Sequence, residues 1–430
     1  MKTVTFYSYK GGVGRTLLMV NLARYLMSRG KKLVLLDCDL EAPGLHYKFD
    51  YEKVTSKVNT GVVDFFHQFK RDETLPEMSE MLLEAQTHES GGSIHIVPAG
   101  DIQTVRYWER LSELDWRDML YEGYGFHLFL ELQRRIAEEL EFQPDYLFID
   151  SRTGITEVGG VVTTVLPDAL VCIFINNREN IEGTREVLRA IQRSPSYLPD
   201  GKRTQTVPVL SRIPFHPENS PAEPDLLEEM RTQLNEEAYQ LEDTLNVKDI
   251  SVLHIEPSLA MQERVLVGNT IEPDYTPPLY QDYLYLCALL FPDIEIDDKD
   301  VLREANFLFF LGEIALEQSD YERAKKKYEE ALTLYLRVKD VLGEANSFFS
   351  MGETVIHSNH KQAAEWYEKA LYLYESIPER YSMARTHSRL ARITRNHEER
   401  KEHLQSAREL WLSIGREDLV KELDATAPKP

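Results

Sequence analysis

At 430 residues the chain is too long for one ordinary domain and long enough for two or three. Hydrophobic residues make up 42% and charged residues 28%, a globular composition that excludes a disordered chain. The formal charge of −23, from 49 basic and 72 acidic residues, makes nucleic acid and anionic membrane poor partners unless a local basic patch overrides it.

Met1 leads straight into an apolar strand at residues 4–7, so no secretory signal is expected and the expected compartment is the cytoplasm. No apolar run reaches the ~18 residues that span a bilayer. Cys38, Cys172 and Cys287 sit in separate apolar runs without metal-ligand spacing and read as buried thiols.

After the first strand comes Tyr9-Lys10-Gly11-Gly12-Val13-Gly14-Arg15-Thr16, then an amphipathic run over 17–29. Strand, glycine loop and helix form a phosphate cradle: glycines admit a polyphosphate close to backbone N–H groups, and the helix N-terminus adds partial positive charge. A Ser/Thr after the basic residue offers a hydroxyl to Mg²⁺. The usual spacing G-x-x-x-x-G-K-[ST] is broken, the final Lys is Arg15, and Lys10 stands at the front. The loop resembles the deviant Walker A motif of the MinD/ParA superfamily of dimeric P-loop ATPases, K-G-G-x-G-K-[ST], in its KGGVGR variant. That resemblance implies ATP and Mg²⁺ as ligands, with Gly11, Gly12, Val13, Gly14, Arg15 and Thr16 around the phosphates. It also implies a homodimer through the nucleotide face, in which Lys10 touches the phosphates of the other copy. A glycine turn without ligand, and a loop that binds without hydrolysing, are the alternatives.

Residues 31–39 read as a buried strand ending in two carboxylates, Asp37 and Asp39, which a strand places on the same face. Both point toward the nucleotide edge of a parallel sheet. The resemblance implies that Asp39 orients the attacking water and Asp37 supports the Mg²⁺ shell; the two roles are exchangeable, and either residue could instead cap the following turn. A short helix is expected near 61–66 and a strand at 94–97. Trp108 and Trp116 read as core or cover.

The spacing of Phe126, Phe129, Leu130, Leu132, Ile136 and Leu140 predicts a helix over 124–140. It leads to residues 144–150, an apolar strand ending in Asp150. This has the form of a Walker B strand, whose carboxylate holds Mg²⁺ through water. Gly154 is placed by the resemblance near the γ-phosphate. Arg152 reads as a phosphate sensor, as a residue reaching across a dimer, or as a surface arginine paired with a carboxylate.

Further strands are expected at 169–176, 206–210 and 250–255, with helices to Arg193 and over 259–267, then a proline-rich stretch over 272–278 and a helix to Leu290. Ser211-Arg212-Ile213-Pro214 follows the second of these strands. Relatives carry Asn-Arg there, so Arg212 and Pro214 are candidate base-side residues, while Ser211 leaves adenine preferred by resemblance alone. Strands alternating with helices argue an α/β doubly wound, mostly parallel sheet over 1–290.

Residues 291–298 read as an acidic, proline-bearing linker to an all-helical region over 299–425. Leu311-Gly312-Glu313 recurs as Met351-Gly352-Glu353, and Tyr328-Glu329-Glu330-Ala331-Leu332 as Tyr367-Glu368-Lys369-Ala370-Leu371, a period near 40 (352 − 312). A weaker third copy follows. The pattern resembles tetratricopeptide repeats, which implies a surface for an as yet unidentified protein partner, or else a structural cap or dimerisation arm. Arg385, Arg389 and Arg392 fall on one helical face and read as a solvated face or a basic stripe for an acidic segment. The function expected from the whole is an ATP-dependent dimeric switch coupled to protein recognition, in a conflict, antiphage or signalling setting. A non-hydrolysing scaffold and a partitioning ATPase are the alternatives.

Overall fold

β-branched and aromatic runs alternate with amphipathic helices through the first 290 residues, and they assemble as that alternation requires. The structure, a computed structural model, describes residues 1–121, 124–194, 203–215, 222–236, 245–261, 263–267, 277–377 and 379–426. Two compact units meet in sequence between Ile294 and Glu295.

The first unit is built on eight strands: β1 (Lys2–Ser8), β2 (Lys32–Cys38), β3 (Leu83–Thr87), β4 (Ser93–Val97), β5 (Tyr146–Ser151), β6 (Ala169–Ile175), β7 (Gln205–Ile213) and β8 (Ser251–His254). They lie in the order β3-β4-β2-β5-β1-β6-β7-β8. All pairings are parallel except β3 with β4. The four central strands are buried almost throughout because helices cover both faces. One face packs Leu18, Leu22 and Leu26 of the helix Arg15–Ser28 with Phe148, Leu284 and Leu286; the other packs Phe65, Phe66 and Phe129 with Leu36 and Ile149. Cys38, Cys172 and Cys287 are buried, and none of them is in a disulfide.

Register decides what the sheet presents at its carboxyl edge. β2 and β5 pair Asp37 with Asp150, so two carboxylates stand side by side where β1 releases the glycine loop. Beyond β1 and β6, β7 ends at the same edge in Ser211, Arg212 and Ile213, and β8 in His254.

Several expectations need correction. The antiparallel edge strand β3 has no counterpart among the expected elements. The helix expected over 259–267 is only Pro257–Met261. Residues beyond it are held otherwise: buried Asn21 accepts the backbone N–H groups of Leu266 and Val267, each at 2.9 Å, and helical hydrogen bonding there is replaced. The proline-rich residues 272–276 lie outside the described residues. Within the expected linker 291–298, Phe291 is buried against Tyr146 and Phe148, and Ile294 joins the same core. Trp116 packs into the core edge as expected, while Trp108 is a half-exposed cover whose indole N–H donates to Ile102.

The second unit is a tetratricopeptide-type array of three antiparallel helix pairs: Asp298–Glu317 with Tyr321–Val338, Val341–Val355 with His360–Ser376, and Arg380–Ile393 with His397–Ser413, followed by Glu417–Thr426. Gly312 and Gly352 let Tyr328 and Tyr367 lie flat on the facing helix; a Cβ there would stand 2.5 and 2.6 Å from the ring. The arginine stripe is partly an internal feature. Arg389 forks onto Glu353 of the preceding pair at 2.9 Å, and Arg385 lies 4.2 Å over the Phe349 ring. Helical spacing assigned the face but not what faces it.

Candidate functional site

Gly12 and Gly14 carry φ of 74° and 91°, the left-handed region that glycine enters without a Cβ penalty. Gly14 begins the helix without any side-chain cap, so the first-turn N–H groups have no side-chain acceptor there. Open space surrounds the missing Cβ of both Gly11 and Gly14. This is the backbone cradle an anion needs. It forms one end of a cleft of about 870 Å³ lined by Gly11 to Leu17, Asp39, Glu41, Arg152, Ser211, Arg212 and, at the other end, apolar Leu253, Leu259, Leu279 and Tyr283. That volume suits a nucleotide-sized molecule.

β7 steadies the loop. The Ser211 hydroxyl donates to the Val13 carbonyl at 2.9 Å, and Arg212, itself at φ 62°, donates to the Gly12 carbonyl.

Arg15 is turned inward. Its Nε donates to Asp150 Oδ1 at 2.5 Å and its Nη2 to Asp39 Oδ2 at 2.9 Å, while Nη1 is buried without a partner. Thr16 Oγ1 donates to the other Asp150 oxygen at 2.7 Å. Asp37 lies behind them, fully buried, and its oxygens accept the backbone N–H groups of Asp39 (3.1 Å) and Leu45 (3.2 Å). Burial, and then the neighbouring Asp150 charge, push the Asp37 carboxyl up from its ordinary value. These backbone contacts are those of the turn-capping alternative for Asp37. Burial also raises Asp150, against the pull of Arg15.

The other expected site residues divide. Arg152 pairs with Glu41 at the cleft wall, and Lys10 pairs with Glu179 at 2.6 Å while lying 5.6 Å from the Tyr9 ring centre. Gly154, at φ 76°, accepts from the Tyr7 hydroxyl at 3.1 Å but does not line the cleft. Pro214 is exposed and is not among the residues lining the cleft.

Sequence reading missed the far wall. Lys48 reaches Glu263 at 2.5 Å across the cleft, and His254 and Glu256 line it after β8. A signal did exist for Asn21, an amide inside an otherwise apolar helix stretch.

Among the described residues no three His, Cys, Asp or Glu side chains converge to hold a metal by themselves. Mg²⁺ does not need such a cage, since it takes one or two protein oxygens and completes its shell with phosphate and water. The adjoining Thr16 hydroxyl and Asp150 carboxylate fit that requirement.

A family model described as the CobQ/CobB/MinD/ParA nucleotide binding domain matches residues 4–247, more than half of the chain, and a tetratricopeptide repeat model matches residues 303–376. Among solved structures, the septum site-determining protein MinD of Pyrococcus horikoshii, in complex with Mg-ADP, is similar at a TM-score of 0.45 and 16% identity over 69% of this chain and 99% of that one. The MinD cell division protein of Aquifex aeolicus gives 0.43 and 17% over 69% and 99%, and a ParA family ATPase from Chlorobium tepidum gives 0.44 and 16% over 67% and 98%. A 41-residue stretch is 51% identical to an uncharacterised protein of Borreliella burgdorferi, and covers 10% of this chain and 16% of that curated relative's length.

Proposed function

Because the chain belongs to the CobQ/CobB/MinD/ParA nucleotide-binding family, we propose that its first unit is an ATP-dependent, slowly hydrolysing switch that dimerises through its nucleotide face, and that its tetratricopeptide repeats hold a protein partner in the cytoplasm. The observation that carries this reading is the meeting of the open glycine cradle with Thr16, Asp150 and Asp39 at one end of the cleft. Backbone N–H groups of Gly11 to Thr16 bind the phosphates, with the unpartnered Arg15 Nη1 as a further donor. Thr16 and Asp150 would hold Mg²⁺, which when bound would offset the charge developing on the transferred phosphoryl group. Asp39 accepts a proton from, and orients, the attacking water. Lys10 is 45% exposed, which leaves it free to reach a second copy. Adenine is the preferred base by family. A conflict, antiphage or signalling setting rests on the resemblance alone.

A second reading has one observation behind it. Asp39 is already engaged by Arg15, as suits a loop that binds nucleotide without turning it over. Phosphate release from ATP and Mg²⁺ by the full chain decides between them. The switch reading expects slow release, loss of it in Asp39→Ala with nucleotide retained, and loss of ATP-dependent dimer in Lys10→Ala by light scattering. Nucleotide binding with no release under any condition gives the site to the second reading.

A further inference from the structure

Four cations surround the glycine loop, and each has an acceptor within this chain. Lys10 has Glu179, Arg152 has Glu41, and Arg212 has the Gly12 carbonyl. These are accessible: Lys10 is 45% and Arg152 36% exposed. Exposed pairs contribute little, and such a cation exchanges one anion for another readily. Arg15 differs. It is 8% exposed, and its guanidinium spans two carboxylates from different strand ends, Asp150 at 2.5 Å and Asp39 at 2.9 Å. The second Asp150 oxygen is taken by Thr16 at 2.7 Å. The groups that would attend a divalent cation are therefore already joined to one another and to a cation of the chain's own. A lysine ammonium is a compact point charge and does not present the planar fork that spans both carboxylates.

We propose that Arg15, anchored at its other end by Asp39, is an internal cation that competes with Mg²⁺ for Asp150, so that metal enters the nucleotide-loaded site only as this bridge opens. The inference rests on the nucleotide-binding reading above and makes Arg15 a positioning residue that sets the order of loading. The third guanidinium nitrogen, Nη1, is buried and has no acceptor. An arriving phosphate oxygen supplies one and gives the side chain a second bonding arrangement, in which Asp150 is released. Nucleotide then precedes metal, and metal affinity is held down for as long as the bridge persists.

Mn²⁺ stands in for Mg²⁺ and is counted by electron paramagnetic resonance on the nucleotide-free full-length chain, in which the bridge persists, while a fluorescent nucleotide is titrated in parallel. Arg15→Lys is expected to bind Mn²⁺ about ten-fold more tightly than the wild type, the scale of one charged hydrogen bond removed from competition. Asp39→Asn frees one end of the bridge and is expected to shift Mn²⁺ affinity in the same direction by a smaller factor, which also covers the case in which Arg15→Lys fails to fold. Mn²⁺ affinity that is unchanged or weaker in both variants, with nucleotide binding intact, overturns this inference alone. Absence of nucleotide binding by the wild type in any buffer overturns the proposed function, and this inference with it.

Discussion

Burial opposes a positive charge on His254, yet the hydrogen-bonded carboxylates of Asp282 and Glu223 outweigh it and push its pKa up to about 9. Nδ1 lies 3.0 Å from Asp282 and Nε2 3.3 Å from Glu223, and the His254 backbone N–H donates to the same Asp282. Burial holds Asp282 itself above its ordinary value despite the imidazolium. Because the folded-state pKa of His254 exceeds the ordinary 6.5, the stability it contributes is complete below about pH 6.5 and is lost as pH rises through about 9. We expect urea unfolding of the wild type to weaken between pH 7 and pH 10 by on the order of 2 kcal/mol. His254→Gln should begin less stable at pH 7 and lack that slope; equal slopes would mean that the histidine is not charged in the fold. The contrast with the glycine loop is instructive. Lys10 to Thr16, Asp39 and Asp150 are legible because a phosphate site is written locally, in consecutive residues and strand ends. His254, Lys48 and Glu263 are not, since each takes its meaning from a partner that sequence distance hides: Lys48 and Glu263 are 215 positions apart. The same holds for Arg15, whose identity is plain but whose two carboxylate partners are set by strand register.

Among the elements, the helical repeats carry their packing rule in sequence. Gly312 and Gly352 each face a tyrosine whose hydroxyl donates back to the residue beside that glycine, Tyr328 to Glu313 and Tyr367 to Glu353. Two turns earlier on the same helices the acceptors are amides: Tyr335 donates to Asn306 and Tyr374 to Asn346, at 2.8 and 2.7 Å. Period and small residues announce these pairs. Helical spacing of Arg385, Arg389 and Arg392 does not announce that Arg389 bonds to the neighbouring pair, because a face says nothing of its neighbour. The edge strand β3 escaped for a related reason, since Leu83–Thr87 buries only Ala85 and shows no clean alternation. The glycine rule gives a paired prediction. Gly352→Ala puts a methyl 2.6 Å from the Tyr367 ring and should cost about 1–3 kcal/mol by overpacking. Gly160→Ala, in the helix Glu157–Thr164 with nothing within 4 Å of its Cβ, should stabilise by about 0.5–1 kcal/mol. Chemical denaturation of both variants checks the sign; destabilisation by both would show that helix propensity, and not space, is being misjudged.

At the scale of the whole chain, composition shifts at 291–298 from apolar helix to acidic, proline-bearing sequence, and the shift locates the passage between units without locating the end of the first core. Phe291 is 2% exposed, 4.9 Å from the Tyr146 ring and 5.8 Å from that of Phe148, with the Lys2 ammonium 5.4 Å from its centre. Ile294 is buried in the same cluster. The first strand and the last turn of the unit are thus fastened together: Lys2 also donates to the Leu290 carbonyl at 2.6 Å. Two truncations separate a boundary drawn by composition from one drawn by packing. A fragment ending at Asp297 keeps both apolar side chains and should unfold cooperatively with nucleotide affinity like that of the full chain, while losing whatever protein partner the repeats hold. A fragment ending at Leu290 removes Phe291 and Ile294 and uncovers Tyr146 and Phe148, and should be less stable by about 3–5 kcal/mol or more, the scale of a deleted core aromatic. Urea midpoints of the two fragments measure the difference directly. Equal midpoints would place the end of the core at Leu290 and make residues 291–294 dispensable cover; a shorter fragment that is unfolded at low urea places four residues of apparent linker inside the nucleotide-binding unit.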